Sequence, residues 1–214
     1  MTINNMTKNV GHSIWYMHPR LYDLGMLLIN GKFYLKIYKE IAKRIPQGSS
    51  VLDIGAGSCT LLKYLDKSVQ YEAWDANKHF MKINQKKGIN AKIVDCVAVE
   101  EFAAKDYIVL SGVLHHIHPY EESFMKKAIA AAKKGVIVVE PYANPQENTR
   151  AIYRWLRDIR RKTFLERLVG EYDGTNDPQG IVINSENELI AFLDSFGTNK
   201  KEYIGDEVIT VYEK

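Results

Sequence analysis

Residues 51–60 read Val-Leu-Asp-Ile-Gly-Ala-Gly-Ser-Cys-Thr, an apolar run that breaks into a glycine-rich turn. The pattern predicts a buried strand over 51–54. Gly55 and Gly57 follow it, accepting positive φ and leaving room for a ligand against the backbone. Ser58 stands where it can cap a helix that carries Leu61, Leu62 and Tyr64. A strand, turn and helix in that order aim backbone N–H groups and a positive helix end at whatever binds there. Such a site favours an anionic group and points to a nucleotide-like cofactor.

The alternation continues along the chain. Apolar runs recur at 71–74, 91–94, 107–110 and 136–139, with helical patterns over 61–65, 78–84 and 121–132 between them. This rhythm predicts a parallel sheet with helices on both faces. Residues 1–50 read as a helical cap. Leu21, Leu24 and Leu28 share one face, Phe33, Ile37, Tyr38 and Ile41 form a second stripe, and Gly31 separates the two. After Glu140 and Pro141 the pattern changes to a polar connection, a long helix over about 149–169, a loop over 173–180 and a short strand or extended piece over 181–183. Ser185 and Glu188 form a capping box for a helix through Phe192 and Leu193, ended by Gly197. Runs at 201–204 and 208–212 around Gly205 and Asp206 predict an antiparallel hairpin. The expected fold is a Rossmann-like three-layer α/β sandwich with a mostly parallel seven-stranded sheet and an antiparallel C-terminal hairpin strand. One domain then has four parts: a cap (1–50), a cofactor-binding core (51–140), a helical insertion over the substrate site (141–184), and a C-terminal helix and hairpin (185–214).

Composition narrows the class. A chain of 214 residues, 46% hydrophobic and 26% charged, makes one soluble domain with a full-sized core. It has no apolar stretch near the roughly 20 residues needed to span a bilayer. Residues 1–5 carry neither a basic region nor an apolar signal core, so a cytoplasmic location is expected. Cys59 and Cys96 are too few for a disulfide framework. A net charge of +3 is too mild to imply nucleic acid by itself.

The turn alone does not choose the cofactor. A dinucleotide fingerprint needs a glycine or alanine where this chain has Thr60, which disfavours NAD. Asp75 ends the second run at the position where a carboxylate accepts bonds from ribose hydroxyls. A third run ends at Asp95 and Cys96, and a fourth at Ser111-Gly112-Val113-Leu114-His115-His116-Ile117. With these four motifs the chain resembles the class I S-adenosylmethionine-dependent methyltransferases of small-molecule type, including those of quinone biosynthesis. The resemblance covers 51–117, and the family usually has a third glycine where this chain has Cys59. It implies that Gly55, Ala56 and Gly57 pass under the methionine part of S-adenosylmethionine while Asp53 orients its ammonium. By the same resemblance Asp75 holds the ribose and Ala76 lies beside the adenine. Asp95 accepts from the adenine amino group, Cys96 supplies backbone, and Ser111 and Gly112 line the pocket near the sulfonium.

The acceptor side is less specific. His115, His116 and His118 follow the fourth strand, and an imidazole there suits a general base. The base is either His115 or His116, unless these residues only pack and shape the pocket. No metal site is expected from the three histidines, because no partner carboxylate accompanies them in sequence. Nor does the corner around Gly112 and His115 supply the acidic residue found there in some quinone O-methyltransferases. The aromatic residues Trp15, Tyr16 and Tyr22 could close over the cofactor or simply pack the cap. Trp155 lies on the apolar stripe of a helix whose 150–167 segment carries seven basic and two acidic residues. A solvated face explains such a run, as would an anionic or lipid-like acceptor or an RNA backbone. The leading reading is methyl transfer to an O, N or C atom of a small molecule. An RNA methyltransferase and a non-catalytic cofactor-binding regulatory module are the alternatives, with a dehydrogenase last.

Overall fold

A computed structural model of the chain describes residues 19–30, 32–141, 186–205 and 207–214. The elements are α1 (Pro19–Asn30), α2 (Lys32–Lys43), β1 (Ser50–Ile54), β2 (Gln70–Asp75), α3 (Lys78–Lys86), β3 (Ala91–Ile93) and β4 (Lys105–Ser111). They are followed by α4 (Glu121–Ala131), β5 (Ala132–Pro141), α5 (Glu186–Asp194), β6 (Lys200–Ile204) and β7 (Glu207–Glu213). The described strands form one seven-stranded sheet in the order β3-β2-β1-β4-β5-β7-β6, with β7 antiparallel to both neighbours. All seven expected strands are present, and the last two make the expected hairpin. The cap residues before 19, residues 142–184 of the expected insertion and Ser185 lie outside the described residues, Tyr16 and Trp155 among them.

Strand burial explains the apolar runs. Leu52 and Ile54 of β1 point to one face, where they join Ile108, Leu110, Val136 and Val138 beneath Phe124 and Met125 of α4 and Leu189 and Leu193 of α5. Val51 points to the other face with Tyr71, Val109 and Ile137, covered by Ile37 and Ile41 of α2 and by Phe80 and Met81 of α3. A strand buried on both sides cannot alternate with polar residues, so it reads as a continuous apolar run. Burying each such Leu, Ile or Val contributes roughly 1.5–3 kcal/mol. Asn77 starts α3 in the usual way, its Oδ1 accepting from the N–H groups of His79 and Phe80.

Three local expectations are corrected. The segment after the glycine turn is a short 3₁₀ turn, Thr60–Lys63, rather than a helix over 61–65. Ser58 does not cap it: the capping position is Cys59, in the left-handed conformation with φ 58° and without a side-chain cap bond. That conformation turns the chain out of a helical path and explains why a glycine is usual at this place. Leu24 of the expected apolar stripe is not buried either: it is 48% exposed, while the neighbouring Tyr22 packs on Phe80 and Asp23 bonds Thr60.

Candidate cofactor and acceptor site

The order β3-β2-β1-β4 runs one way from β1 to β3 and the other from β4 onward. The strand direction therefore opens a crevice beyond the carboxyl ends of β1 and β4, where ligands of open α/β sheets bind. Most sequence-predicted site residues converge on that edge. Asp53 lies in β1 with Gly55, Ala56 and Gly57 directly after it. Asp75 ends β2 with Ala76 next, Asp95 and Cys96 follow β3, and Ser111 ends β4 with Gly112 next. The third strand stops at Ile93, two residues before Asp95, although the Val94 N–H still bonds the Asp75 carbonyl at 3.0 Å.

The turn after β1 is pinned tightly. Gly55 and Ala56 both donate their N–H to the Trp74 carbonyl, at 2.8 and 3.2 Å. The Gly57 N–H donates to Asp75 Oδ2 at 2.8 Å, and the Cys59 N–H to the Ala56 carbonyl at 2.8 Å. Asn84 of α3 clamps the far side, donating to the Gly57 carbonyl at 3.0 Å and lying 3.1 Å from Cys59 Sγ. Gly55 has φ 72°, and a Cβ there would meet Val113 Cγ2 at 2.5 Å. Only glycine lets the turn lie this close to the loop after β4. The expected anion cradle is not formed by these donors: the N–H groups of residues 55, 56, 57 and 59 are bonded within the protein, and the turn leads into a 3₁₀ segment rather than an α-helix. What lines the edge is carboxylate.

Those carboxylates differ in character. Asp53 is 4% exposed and accepts from the Tyr71 hydroxyl at 2.6 Å. Burial pushes its pKa up to about 7, with the Tyr71 bond opposing and the Asp75 charge adding. Asp75 is also raised by burial, against the bonds from the Asn77 and Gly57 N–H groups. Each Asp75 oxygen accepts one backbone donor, so each keeps a lone pair for a further hydroxyl. Asp95 is half-buried and accepts from the Val97 N–H at 3.2 Å. Lys127 of α4 braces the segment after it, donating to the carbonyls of Cys96, Val97 and Val99 at 3.4, 3.4 and 2.9 Å.

At the end of β4 the structure adds a residue that sequence reasoning missed. Glu140 is 2% exposed, at the end of β5. Its Oε1 accepts from the N–H groups of Val113 and Leu114 at 2.9 and 2.8 Å, and its Oε2 lies 2.7 Å from His115 Nδ1. With Glu140 as the carboxylate, the neutral His115 ring donates from Nδ1 and its Nε2 carries the lone pair. The acid absent from the local sequence is thus delivered from the next strand. His116 is exposed, its ring centroid 3.8 Å from that of His115 and the two rings tilted by 47°. His118 Nδ1 lies 2.9 Å from Glu121 Oε1 at the start of α4. Carboxylates therefore do accompany these histidines, contrary to the sequence expectation. Among the described residues, no three His, Cys, Asp or Glu side chains are grouped to hold a metal ion. Tyr22 packs edge-on against Phe80 of α3, ring centroids 5.6 Å apart. The one sequence signal for Glu140 is an acid at the end of a run of apolar strand residues.

A family model described as a methyltransferase domain matches residues 28–169. The chain belongs to this methyltransferase family. The methyl donor of the domain is S-adenosylmethionine. No curated protein sequence matches the chain. Among solved structures, an O-methyltransferase family protein from Burkholderia thailandensis superposes with a TM-score of 0.59 at 13% identity, over 92% of this chain and 59% of that one. An O-methyltransferase family 2 protein from Planctomyces limnophilus, in complex with apigenin, gives 0.57 at 14%, over 92% and 61%. The CurJ carbon methyltransferase gives 0.61 at 15%, over 94% and 59%. The chain spans about three fifths of the length of these neighbours. At such identities the likeness is one of fold. Among the described residues no helix is long and apolar enough to cross a membrane.

Proposed function

We propose that this methyltransferase domain transfers a methyl group from S-adenosylmethionine to an O, N or C atom of a small-molecule acceptor, with His115 as the base. The observation that carries the reading is the bond from His115 Nδ1 to the buried Glu140 carboxylate beside the crevice. The crevice suits the donor physically. Its carboxylates face a cationic sulfonium and an ammonium, and at Gly57 a Cβ would meet nothing nearer than the Gly55 carbonyl oxygen at 4.0 Å, so the backbone there can be approached closely. In this reading Asp53 takes the ammonium and Gly55, Ala56 and Gly57 underlie the methionine part. Asp75 takes the ribose, Ala76 flanks the adenine, Asp95 and the Cys96 backbone meet its edge, and Ser111 and Gly112 border the sulfonium.

When bound, S-adenosylmethionine supplies a methyl group already activated on sulfur, so the protein's work is alignment, exclusion of water and proton removal. His115 Nε2 takes the acceptor's proton as the acceptor's electron pair becomes nucleophilic. Glu140 holds the ring in the required tautomer and stabilises the imidazolium that forms. An acceptor that must give up a proton, such as a hydroxyl, benefits most from this pair. The Planctomyces limnophilus neighbour was solved with apigenin, and the proposal extends a small acceptor of that kind to this chain. The parts of the chain reserved for an acceptor cover, with Tyr16, Trp155 and the basic 150–167 segment, lie outside the described residues.

The test is a transfer assay with methyl-labelled donor against cell extract divided into small-molecule, lipid and RNA fractions. Label is expected in the small-molecule fraction, with His115→Ala lowering kcat by about 100-fold or more. Label confined to RNA would replace the small-molecule reading. Release of no S-adenosylhomocysteine with any fraction would favour a binding module.

A further inference from the structure

Between the end of β3 at Ile93 and the start of β4 at Lys105 the chain has no regular element, so no ladder of strand or helix bonds fixes its path. One side chain from another element supplies much of what is missing. Lys127 of α4 is half-buried, and its Nζ donates to three carbonyls of this loop: Val99 at 2.9 Å, and Cys96 and Val97 at 3.4 Å each. The same ammonium lies 5.1 Å from the ring centroid of Phe102 and 5.6 Å from that of Phe124. Both rings are buried, and they pack edge-on with centroids 4.9 Å apart. An ammonium over two aromatic faces is held in place before any carbonyl reaches it.

The three carbonyls are not equivalent in what they control. A trans peptide is planar, with its C=O and its N–H pointing in opposite directions. The Cys96 carbonyl bonded by Lys127 shares its plane with the Val97 N–H, which donates to Asp95 Oδ1 at 3.2 Å. The Val97 carbonyl shares its plane with the Ala98 N–H, which donates to the Asp95 carbonyl at 3.1 Å. Two successive peptide planes are thus gripped at their oxygen ends by Lys127 and at their N–H ends by Asp95. The charge on α4 thereby sets the turn that aims the Asp95 carboxylate, although Lys127 stands 32 positions further along the chain (127 − 95). With Oδ1 engaged by the Val97 N–H, Oδ2 is the oxygen left to receive a ligand's donor.

We propose that Lys127 is a positioning residue for base recognition: it sets the loop after β3 so that Asp95 meets the adenine amino group, which makes the protein prefer an adenine donor to a hypoxanthine one. The proposal rests on the reading of Asp95 at the adenine edge. Lys127 touches neither donor nor acceptor. Its influence runs through the Cys96 and Val97 peptides, and it falls on the base rather than on the ribose or the methionine part, which Asp75 and Asp53 serve.

The experiment measures Kd by calorimetry for S-adenosylhomocysteine and for S-inosylhomocysteine, its analogue with a carbonyl in place of the amino group. The wild type is expected to prefer the adenine compound by about tenfold or more, because the analogue sets an oxygen against a carboxylate. Lys127→Met keeps a long apolar stem under the rings and removes the ammonium. Its affinity for S-adenosylhomocysteine is expected to fall by about tenfold while S-inosylhomocysteine binds no worse, so the preference collapses. Loosened packing alone would weaken both compounds by the same factor, since they share everything but the base edge. A preference unchanged in the folded variant therefore overturns the positioning role and leaves the donor site standing. Lys127→Arg carries the test if Lys127→Met does not fold. It keeps a cation over the rings but replaces a point donor by a planar fork, and is expected to reduce the preference by about threefold. No reduction there overturns the proposal as well. A wild type that binds both compounds equally removes Asp95 from the adenine and the proposal with it, whereas one that binds neither removes the donor site itself.

Discussion

At the scale of single residues, the crevice is set by backbone conformation and by one unusual carboxyl. Cys59 occupies the left-handed region with φ 58°, a conformation that costs a non-glycine residue roughly 1–2 kcal/mol. Its thiol is 2% exposed, and the buried site pushes its pKa up to about 12, which keeps it a protonated, unreactive filler against Asn84. Cys59→Ala loses the thiol and keeps the strain, while Cys59→Gly loses the thiol and releases the strain. The glycine variant is therefore expected to be more stable than the alanine variant by about 1 kcal/mol, the reverse of the order in helices and strands. Urea denaturation of the two variants decides it, and alanine proving the more stable would mean the turn is not strained. Asp53 makes the second prediction. Its carboxyl titrates near 4 in an unfolded chain and at about 7 here, so it is protonated more readily in the folded protein. The folded state without donor is then favoured at low pH, and this group's contribution is lost as pH rises from about 4 through about 7. The full loss is on the order of 4 kcal/mol. Asp53→Asn, which cannot ionise, is expected to flatten that decline relative to the wild type. Parallel stability curves for the two proteins across this range would show that Asp53 does not titrate in it.

At the scale of elements, the strands carried their own signature and the long-range contacts did not. The sequence located β1, β2, β4 and β5 because continuous apolar runs bounded by polar turns are what double burial demands. It placed the hairpin of β6 and β7 from the Gly205 break. The element after the glycine turn was misread because Ser58 has a capping residue's chemistry, but its hydroxyl is taken by Asp23 and Thr60. Local pattern cannot register a partner 35 positions away. Glu140 was invisible for the same reason: the residues it binds stand 25 to 27 positions earlier, and only the pairing of β4 with β5 brings them together. Its importance can be measured. Glu140→Gln keeps an oxygen for the Val113 and Leu114 N–H groups but turns an amide donor toward His115 Nδ1. The histidine must then carry its proton on Nε2, where the base needs a lone pair. On the proposed mechanism kcat falls by about 100-fold or more while donor affinity stays near the wild-type value. Equal losses in both would mean that Glu140 only supports the loop.

At the scale of the whole molecule, the distribution of charge discriminates between cofactors that the glycine turn by itself does not. Two apolar layers hold the sheet rigid on both faces, so the crevice edge is a fixed frame on which Asp53, Asp75 and Asp95 are presented. The backbone donors that would welcome a pyrophosphate are already bonded to Trp74, Asp75 and Ala56. Sequence reading expected those donors to be free, because a glycine turn looks the same whether its N–H groups point outward or inward. A pyrophosphate placed here would face carboxylates without compensation, whereas a sulfonium and an ammonium would be attracted by them. The thermal consequence follows from mass action. At a donor concentration about 100 times Kd, binding to the folded state alone contributes about 2.7 kcal/mol. For a domain of this size that raises Tm by about 5–10 °C. S-adenosylmethionine is expected to give such a shift in a calorimetric scan, and NADH at the same concentration is expected to give none. The shift with S-adenosylmethionine should shrink in Asp75→Ala, which lacks the carboxylate proposed for the ribose. An equal shift from NADH would mean that the turn reorganises its N–H groups toward anions on binding, and the electrostatic argument for this crevice would fail.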